Sequence, residues 1–166
     1  MSTMTRRTLL CGAGASAAII LVGGAPGNGS GAAAEDFEVN RTPDQWRRLL
    51  TPAQYAVLRE EGTERPGSSR LNGEHRPGVF ACAGCNLPLF RSRDKFDSGT
   101  GWPSFTRAIA GAVRTRPDHS LSVVRTEVHC RRCGGHLGHV FRDGPPPTGQ
   151  RWCMNGVAMS FVASTH

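Results

Sequence analysis

Two short segments decide how this chain folds, and they read Cys82-Ala83-Gly84-Cys85 and Cys130-Arg131-Arg132-Cys133. Each Cys-x-x-Cys pair can present two thiolates from one tight turn, and 44 residues separate the two pairs. Two such turns supply the four sulfur ligands of a closed tetrahedral site, the arrangement typical of structural zinc in proteins. The sequence therefore predicts one structural Zn²⁺ ion per chain, with four cysteine ligands: Cys82, Cys85, Cys130 and Cys133.

Three other uses of these cysteine pairs have to be compared with a zinc site. A c-type haem requires His directly after the second cysteine, whereas Asn86 and Gly134 stand there. Two surface disulfides remain an alternative for an exported protein. A redox-active Cys-x-x-Cys pair is less favoured, because neither pair lies in the βαβ pattern typical of such sites.

The composition limits the chain to one small globular domain with attachments. It has 166 residues, of which 38% are hydrophobic and 20% are charged, and its formal net charge is +7. These values exclude a disordered chain, a collagen-like chain and a multi-span membrane protein. The basic residues are nearly all arginine, with Lys95 the single lysine, so much of the charge can reflect composition bias.

Residues 1–34 are predicted to be a leader and not part of the fold. The paired Arg6 and Arg7 open a run of small and apolar residues, and no Asp or Glu occurs before Glu35. This pattern resembles a twin-arginine signal peptide, with an A-x-A cleavage site at Ala32-Ala33-Ala34. We therefore expect export by the twin-arginine route to the periplasm or another extracytoplasmic space.

Processing at that site leaves one domain, residues 35–166, and removes Cys11 with the leader. Retention of the leader as a membrane anchor and lipid attachment at Cys11 are the less favoured alternatives. The twin-arginine route carries folded proteins, so a metal loaded in the reducing cytosol would protect the four thiolates from oxidation. Five cysteines remain in the domain, and four of them are assigned to the metal.

The chain pattern predicts a helical arm followed by short β-strands. Residues 35–59 are predicted to be largely helical, with two proline-initiated helical starts, and residues 62–77 have the composition of a loop. Short segments of apolar or alternating apolar and polar residues follow, separated by Gly and Pro. Segments this short and this closely separated favour antiparallel strands over βαβ units. These segments are residues 79–81, 87–90, 108–113, 121–128, 140–141 and 157–162.

The fifth cysteine, Cys153, is predicted to be a nucleophile. A lone cysteine is often only a small buried hydrophobe. However, Arg151 lies two residues away, on the same face if the segment is a strand, where a cation favours the thiolate. His136 and His139 lie upstream and can donate protons or orient a substrate oxygen. Alternatively, the two histidines are ordinary polar residues of a loop or ligands of a second metal ion.

Five motifs in one order resemble those of peptide-methionine (R)-S-oxide reductases, the B-type methionine sulfoxide reductases. The resemblance covers residues 44–161 and includes the helical arm. The motifs are Cys82-x-x-Cys85, Lys95-Phe96-Asp97-Ser98-Gly99-Thr100-Gly101-Trp102-Pro103-Ser104-Phe105, Cys130-x-x-Cys133, His136-Leu137-Gly138-His139-Val140-Phe141 and Arg151-Trp152-Cys153-Met154-Asn155.

The resemblance implies a mainly β, β-tent-like fold of two antiparallel sheets with a short N-terminal helical arm and a distal structural zinc. It implies that Cys153 attacks the sulfur of methionine-R-sulfoxide in oxidised proteins and becomes a sulfenic acid. His136 and His139 would bind or protonate the sulfoxide oxygen, and Asn155 and Arg151 would position and polarise it. Trp102 and Phe141 would form the substrate pocket.

Two positions depart from a common form of the family pattern. Many members carry a resolving cysteine where Thr100 stands, and many carry an aromatic residue where Gly67 stands. We therefore expect a one-cysteine enzyme whose sulfenic acid is reduced by an external thiol, such as thioredoxin or a thioredoxin-like protein. The missing aromatic residue leaves one wall of the pocket undefined.

Two function classes compete with the reductase. A zinc-ribbon module for nucleic acid would use the Cys-x-x-Cys pairs and basic residues such as Arg131 and Arg132. A thiol-disulfide exchange protein would use the cysteine pairs themselves. Export argues against a nucleic-acid partner, and nothing in the sequence indicates an obligate oligomer, so we expect a monomer that does not bind nucleic acid.

Overall fold

The computed structural model describes residues 36–165. The predicted leader, its cleavage site and Cys11 lie outside the described residues and stay predictions. Within residues 36–165 the chain forms two short α-helices, nine β-strands and three 3-10 turns. None of the helices in this part of the chain has the length and apolar character needed to cross a membrane.

The two helices form the predicted N-terminal arm, α1 over Pro43–Leu49 and α2 over Pro52–Glu60. Each begins with a capping box, in which a threonine hydroxyl accepts the N–H of the glutamine three residues later and the glutamine side chain accepts the threonine N–H. The expectation of helix from residue 35 is wrong for residues 36–42. Val39 there donates its N–H to the carbonyl of Arg132 at 2.9 Å, so this stretch is held by a distant segment.

The arm packs on the turns that carry the cysteine pairs. Trp46 is 2% exposed, and the guanidinium groups of Arg41 and Arg59 lie 4.9 and 5.0 Å from the centre of its ring. A Cβ atom at Gly84 would lie 3.5 Å from the Trp46 ring, and one at Gly135 would lie 2.9 Å from Leu58 of α2. Trp46 therefore packs the helical arm against the domain.

The strands form two antiparallel sheets, as predicted. The smaller sheet has the order β2-β1-β9, and the larger has the order β3-β4-β8-β7-β6-β5. The strands are β1 Gly78–Cys82, β2 Pro88–Arg91, β3 Lys95–Phe96, β4 Ser104–Phe105, β5 Val113–Asp118, β6 Arg125–Cys130, β7 His136–Phe141, β8 Arg151–Met154 and β9 Met159–Ala163. The 3-10 turns cover Arg70–Gly73, Ser92–Asp94 and Gly156–Ala158.

Two of the predicted strands begin later than their apolar residues suggest. Residues 108–112 precede β5 as an irregular turn that contains Gly111 at φ 69°. Residues 121–124 belong to the turn between β5 and β6, where Leu121, Val123 and Val124 are exposed. Apolar character alone predicted strand at these positions, whereas the observed strands begin only at Val113 and Arg125.

Three fully buried phenylalanines join the two sheets. Phe105 of β4 stacks on Phe90 of β2 at 4.4 Å between ring centroids and meets Phe80 of β1 edge-on at 5.0 Å. Such pairs are favourable beyond the apolar area that they bury. Since β4 pairs with β8, this contact sets the position of β8 relative to the smaller sheet.

Candidate active site and metal centre

The four predicted metal ligands converge at one end of the two sheets. Cys82 ends β1 in the smaller sheet, Cys130 ends β6 in the larger sheet, and each strand is followed by the turn that carries the second cysteine of its pair. All four Sγ atoms lie within 4.8 Å of one another. The thiols are free, so the structure does not contain the two disulfides of the alternative interpretation.

The sulfur spacing fits a tetrahedral metal ion. The Sγ atoms are 3.7 Å apart for Cys82 and Cys133 and 3.5 Å apart for Cys85 and Cys130. Zinc–sulfur bonds of the usual length would place tetrahedral sulfurs about 3.8 Å apart. A disulfide would instead require about 2.05 Å. The donor set and its spacing therefore suit Zn²⁺.

Backbone geometry shapes both cysteine turns in the same way. The residue after each pair adopts a left-handed conformation, with φ 58° at Asn86 and 68° at Gly134. The N–H of each donates to the carbonyl of the first cysteine of its pair, at 2.8 and 2.9 Å. A Cβ atom at Gly134 would collide with the ring of Phe37, so glycine is required there by packing as well as by φ.

Cys153 lies in a cleft on the larger sheet. It belongs to β8, whereas the four clustered cysteines lie at the ends of β1 and β6 and in the turns that follow them. Its strand, β8, places it directly opposite Ser104 of β4 on one side and His139 of β7 on the other. The cleft has a volume of about 110 Å³. It is lined by Thr63, Trp102, Arg125, Gly138, His139, Phe141, Cys153, Met154 and Asn155.

Five of the predicted site residues thus line one cleft, and two do not. Trp102, His139, Phe141 and Asn155 line the cleft with Cys153, whereas His136 and Arg151 do not. Arg151 forms a bidentate ion pair with Asp143 at 2.9 Å, and its guanidinium lies 4.3 Å from the centre of the Phe141 ring. The Asp143 carboxylate, and after it the Cys153 sulfur, raise the pKa of Arg151 above its usual value.

A bulge in β7 brings the two histidines together. In a regular strand, His136 and His139 would point to opposite faces, because an odd number of positions separates them. Gly138 pairs with Val128 and His136 pairs with His129, so Leu137 is an extra residue in the ladder. The imidazole centroids are consequently 5.5 Å apart.

Each histidine is held by a carboxylate that sequence reasoning missed. His139 Nε2 lies 2.7 Å from Asp118 Oδ2, and His136 Nδ1 lies 2.8 Å from Glu127 Oε1. Glu127 also pairs with Arg116 and is buried. Glu127 stands opposite His139 in the β6–β7 ladder, and Asp118 opposes Arg125 in the β5–β6 ladder. Only the register of β5, β6 and β7 could have revealed these partners.

The electrostatics of the cleft keep His139 neutral in the resting protein. Burial lowers the pKa of His139 below its usual value, and the hydrogen bond to Asp118 opposes this effect only in part. Hydrogen bonds from Ser120, and then from His139, hold the pKa of Asp118 well below its usual range. Asp118 is therefore an anion near neutral pH, and His139 donates Nε2–H to it.

Asn155 fixes one wall of the cleft through main-chain contacts. Its amide donates to the carbonyl of Leu137 at 3.1 Å, and its Oδ1 accepts the N–H of Glu64 at 3.0 Å. Trp102 donates its indole N–H to the carbonyl of Glu64 at 3.1 Å. The Glu64 carboxylate accepts the N–H groups of Gly156 and Val157. These bonds hold the indole of Trp102 beside Cys153.

Thr100 occupies the position where a resolving cysteine was expected in many relatives. Its hydroxyl oxygen lies 3.9 Å from Cys153 Sγ. The same hydroxyl is hydrogen-bonded to the hydroxyl of Ser98, which in turn is hydrogen-bonded to that of Ser104, and the oxygen–oxygen distance is 2.8 Å in both bonds. Within residues 36–165, the other four cysteines all belong to the cysteine cluster. No second thiol of the described residues therefore stands beside Cys153.

Comparisons with known proteins agree with these motifs. A SelR domain model matches residues 50–163. Peptide methionine sulfoxide reductase MsrB of Bradyrhizobium diazoefficiens is 54% identical over 125 residues, which cover 75% of this chain and 90% of the relative. The proteins of the same name from Thiobacillus denitrificans and Methanosarcina mazei are 55% and 50% identical, over 73% and 75% of this chain and 92% and 90% of their own lengths.

Replacement of one cluster thiol tests the metal site. We expect Cys85→Ser to lose most of its bound metal and to be destabilised by several kcal/mol, because metal binding free energy is part of the folding free energy. Elemental analysis and thermal unfolding measure both effects. Cys153→Ser is the matched control and should keep its metal and its stability. Full metal content in Cys85→Ser would show that the four-sulfur site is misassigned.

Replacement of Asp118 tests the electrostatics of His139. We expect Asp118→Asn to lower the pKa of His139 further, because the carboxylate stabilises the imidazolium form and its removal leaves the effect of burial unopposed. An NMR titration of the His139 ring measures the change. Asp143→Asn, which removes the partner of Arg151, is the control. A pKa of His139 that is unchanged or raised in Asp118→Asn would contradict the assignment.

Proposed function

The chain belongs to the SelR-domain family of B-type methionine sulfoxide reductases, and we propose that it reduces methionine-R-sulfoxide in oxidised proteins through nucleophilic attack by Cys153. The observation that carries this proposal is the placement of Cys153 directly opposite His139 in a cleft walled by Trp102 and Phe141. The relatives do not favour a nucleic-acid module or a thiol-disulfide exchange protein.

The resting protonation states support a proton route from thiol to substrate. Residues directly opposite on an antiparallel ladder have Cβ atoms about 5 Å apart, so neutral His139 can accept the Cys153 proton. Arg151, two residues along the same strand, places a positive charge near the sulfur that becomes the nucleophile. Asp118 stabilises the imidazolium, which then protonates the sulfoxide oxygen and makes the sulfur a better electrophile.

The chemistry balances as an oxygen transfer. The Cys153 thiolate forms a bond to the sulfoxide sulfur while His139 protonates the oxygen. The resulting hydroxyl then passes to Cys153 Sγ as its bond to the substrate sulfur and the sulfur–sulfur bond both break, which leaves the thioether and a Cys153 sulfenic acid. The methionine sulfur gains two electrons and Cys153 loses two. The indole of Trp102 and the ring of Phe141 offer apolar walls for the methyl group of the substrate and limit water access.

His136 has a separate place in this proposal. Its Nε2 is buried and has no hydrogen-bond partner among residues 36–165, while Nδ1 is held by Glu127. We assign it to the binding of the sulfoxide oxygen beside His139, which donates the proton. Asn155 acts by holding the Trp102 wall through Glu64.

We further propose that an external thiol closes the cycle and that Zn²⁺ occupies the cysteine cluster as a structural ion. A thiol of a thioredoxin-like protein would attack the sulfenic acid, release water and form a mixed disulfide, and its second thiol would free Cys153. The hydroxyl of Thr100 beside Cys153 supports this route, because a hydroxyl cannot form the intramolecular disulfide.

Export of a monomer in the folded, metal-loaded state remains part of the proposal. It is supported by the leader pattern of residues 1–34 and by a thiol cluster that a metal would protect. Recovery of the protein from the cytosol with residues 1–34 intact would contradict export. Sedimentation measurements test the monomer.

A stereospecific assay tests the function. The purified protein should reduce the R epimer of a blocked methionine sulfoxide with dithiothreitol and leave the S epimer unreacted. Cys153→Ser should lose all activity because the nucleophile is gone, while Cys85→Ala, if still folded, should keep part of it. Chromatography of the products measures turnover. Absence of turnover with the R epimer would overturn the proposal.

Introduction of a second thiol tests the one-cysteine cycle. With substrate and no reductant, the wild-type protein should gain the mass of one oxygen atom on Cys153. Thr100→Cys places a thiol at the position now 3.9 Å from Cys153 Sγ, so it should instead lose two hydrogen atoms as an intramolecular disulfide forms. Mass spectrometry of the intact protein distinguishes the two products. A disulfide in the wild-type protein would contradict the external-thiol cycle.

A further inference from the structure

Exposed aliphatic side chains are concentrated on one turn. The turn between β5 and β6, residues 119–124, is called the β5–β6 tip here. Five large hydrophobic side chains of residues 36–165 are strongly exposed, and three of them lie in this turn: Leu121 at 58%, Val123 at 70% and Val124 at 59%. Single exposed aliphatic residues are ordinary, whereas a group of three on six residues marks an interaction surface.

The β5–β6 tip is continuous with the catalytic cleft. Asp118, which ends β5, bonds to His139, and Arg125, which begins β6, lines the cleft. The two residues also pair with each other at 2.7 Å. Leu121 is three residues from Asp118 and Val124 directly precedes Arg125, so the apolar patch starts within about 10 Å of the cleft rim.

We propose that the β5–β6 tip binds apolar side chains that flank methionine sulfoxide in an extended segment of an unfolded substrate protein. The inference rests on the proposed function. An extended chain advances at most about 3.6 Å per residue. The strand β6 lies two strands, or about 10 Å, from the strand of Cys153, and the tip begins within about 10 Å of the start of β6. Residues about three to six positions from the sulfoxide therefore reach the tip while the sulfoxide is at Cys153. Free methionine sulfoxide or its blocked derivative is too short to contact Cys153 and the β5–β6 tip at the same time.

The chemistry of the tip selects the partner. Its three aliphatic side chains stand beside two serines and a histidine, with no carboxylate, lysine or arginine in the turn. Apolar side chains are mostly buried in folded proteins, so a continuous apolar segment is offered mainly by an unfolded one. The tip therefore fits an unfolded polypeptide better than a folded, charged surface.

The neighbouring sheet edge is a poor alternative for the same polypeptide. β5 is an edge strand of the larger sheet, and an edge strand can accept an added strand through its main chain. Here the exposed residues of β5 include Arg114, Arg116 and Pro117, and charge and proline are the features that discourage strand addition. Side-chain contacts with the tip are thus the more favourable mode.

A comparison of substrates with matched variants tests the proposal. The tip variant is Leu121→Ser/Val123→Ser/Val124→Ser, and the control is Leu49→Ser/Val162→Ser, which removes exposed aliphatic side chains elsewhere. The substrates are a short peptide with methionine-R-sulfoxide between leucine and valine residues, the same peptide with serine flanks, and the blocked amino acid.

We expect the tip variant to lose about tenfold in kcat/KM for the apolar peptide, mainly through KM, because apolar contacts that release water are lost. Its activity on the serine peptide and the blocked amino acid should not change, and the control variant should match the wild-type protein throughout. An equal loss on all three substrates, or no loss on the apolar peptide, would overturn the docking role.

Two further results would each have a different meaning. Sedimentation that shows a wild-type dimer, abolished in the tip variant, would assign the patch to self-association and overturn the proposal. Failure of the wild-type protein to reduce the blocked amino acid would overturn the proposed function itself. The blocked amino acid therefore separates a failure of the catalytic assignment from a failure of the docking surface.

Discussion

The convergence of four cysteine thiols from two different sheets is the constraint on which the rest of the structure depends. Cys82 ends a strand of the smaller sheet and Cys130 ends a strand of the larger one, so an ion bound to both turns would join the sheets at that end. The helical arm covers the same turns through Trp46, and Arg59 donates to the carbonyl of Cys133 at 2.9 Å. Four thiolates repel one another unless a cation neutralises them, which explains why folding and metal binding are expected to be coupled.

The proposed active site is built on the pairing of β7 with β8 and not on the cysteine cluster. Cys153 and His139 are opposite one another in this ladder, and the bulge at Leu137 adds His136 to the same face. Carboxylates from β5 and β6 then fix both imidazoles. The larger sheet consequently carries the proposed nucleophile, the histidines and their partners on four neighbouring strands, where small changes in register would separate them.

Burial and charge act in opposite directions on His139, and this opposition suits a residue that must gain and lose a proton. Burial alone would keep the ring neutral, whereas Asp118 stabilises the protonated ring. The same carboxylate pairs with Arg125, which begins β6 beside the apolar β5–β6 tip. The residues that tune the proposed acid therefore also anchor the surface proposed to receive the polypeptide.

The sequence by itself determined the four-cysteine cluster that could hold a metal ion, the capped helices, the mainly β class and the presence of one cysteine beyond the cluster. These features depend on local spacing and residue type. It also placed Trp102, His139, Phe141 and Asn155 in motifs that the structure brings around Cys153. Only the tertiary structure decided that Asp118 and Glu127 hold the histidines and that residues 121–124 form an exposed turn. Those features follow from strand register, which depends on contacts between segments distant in the chain and cannot be read from the pattern of one segment.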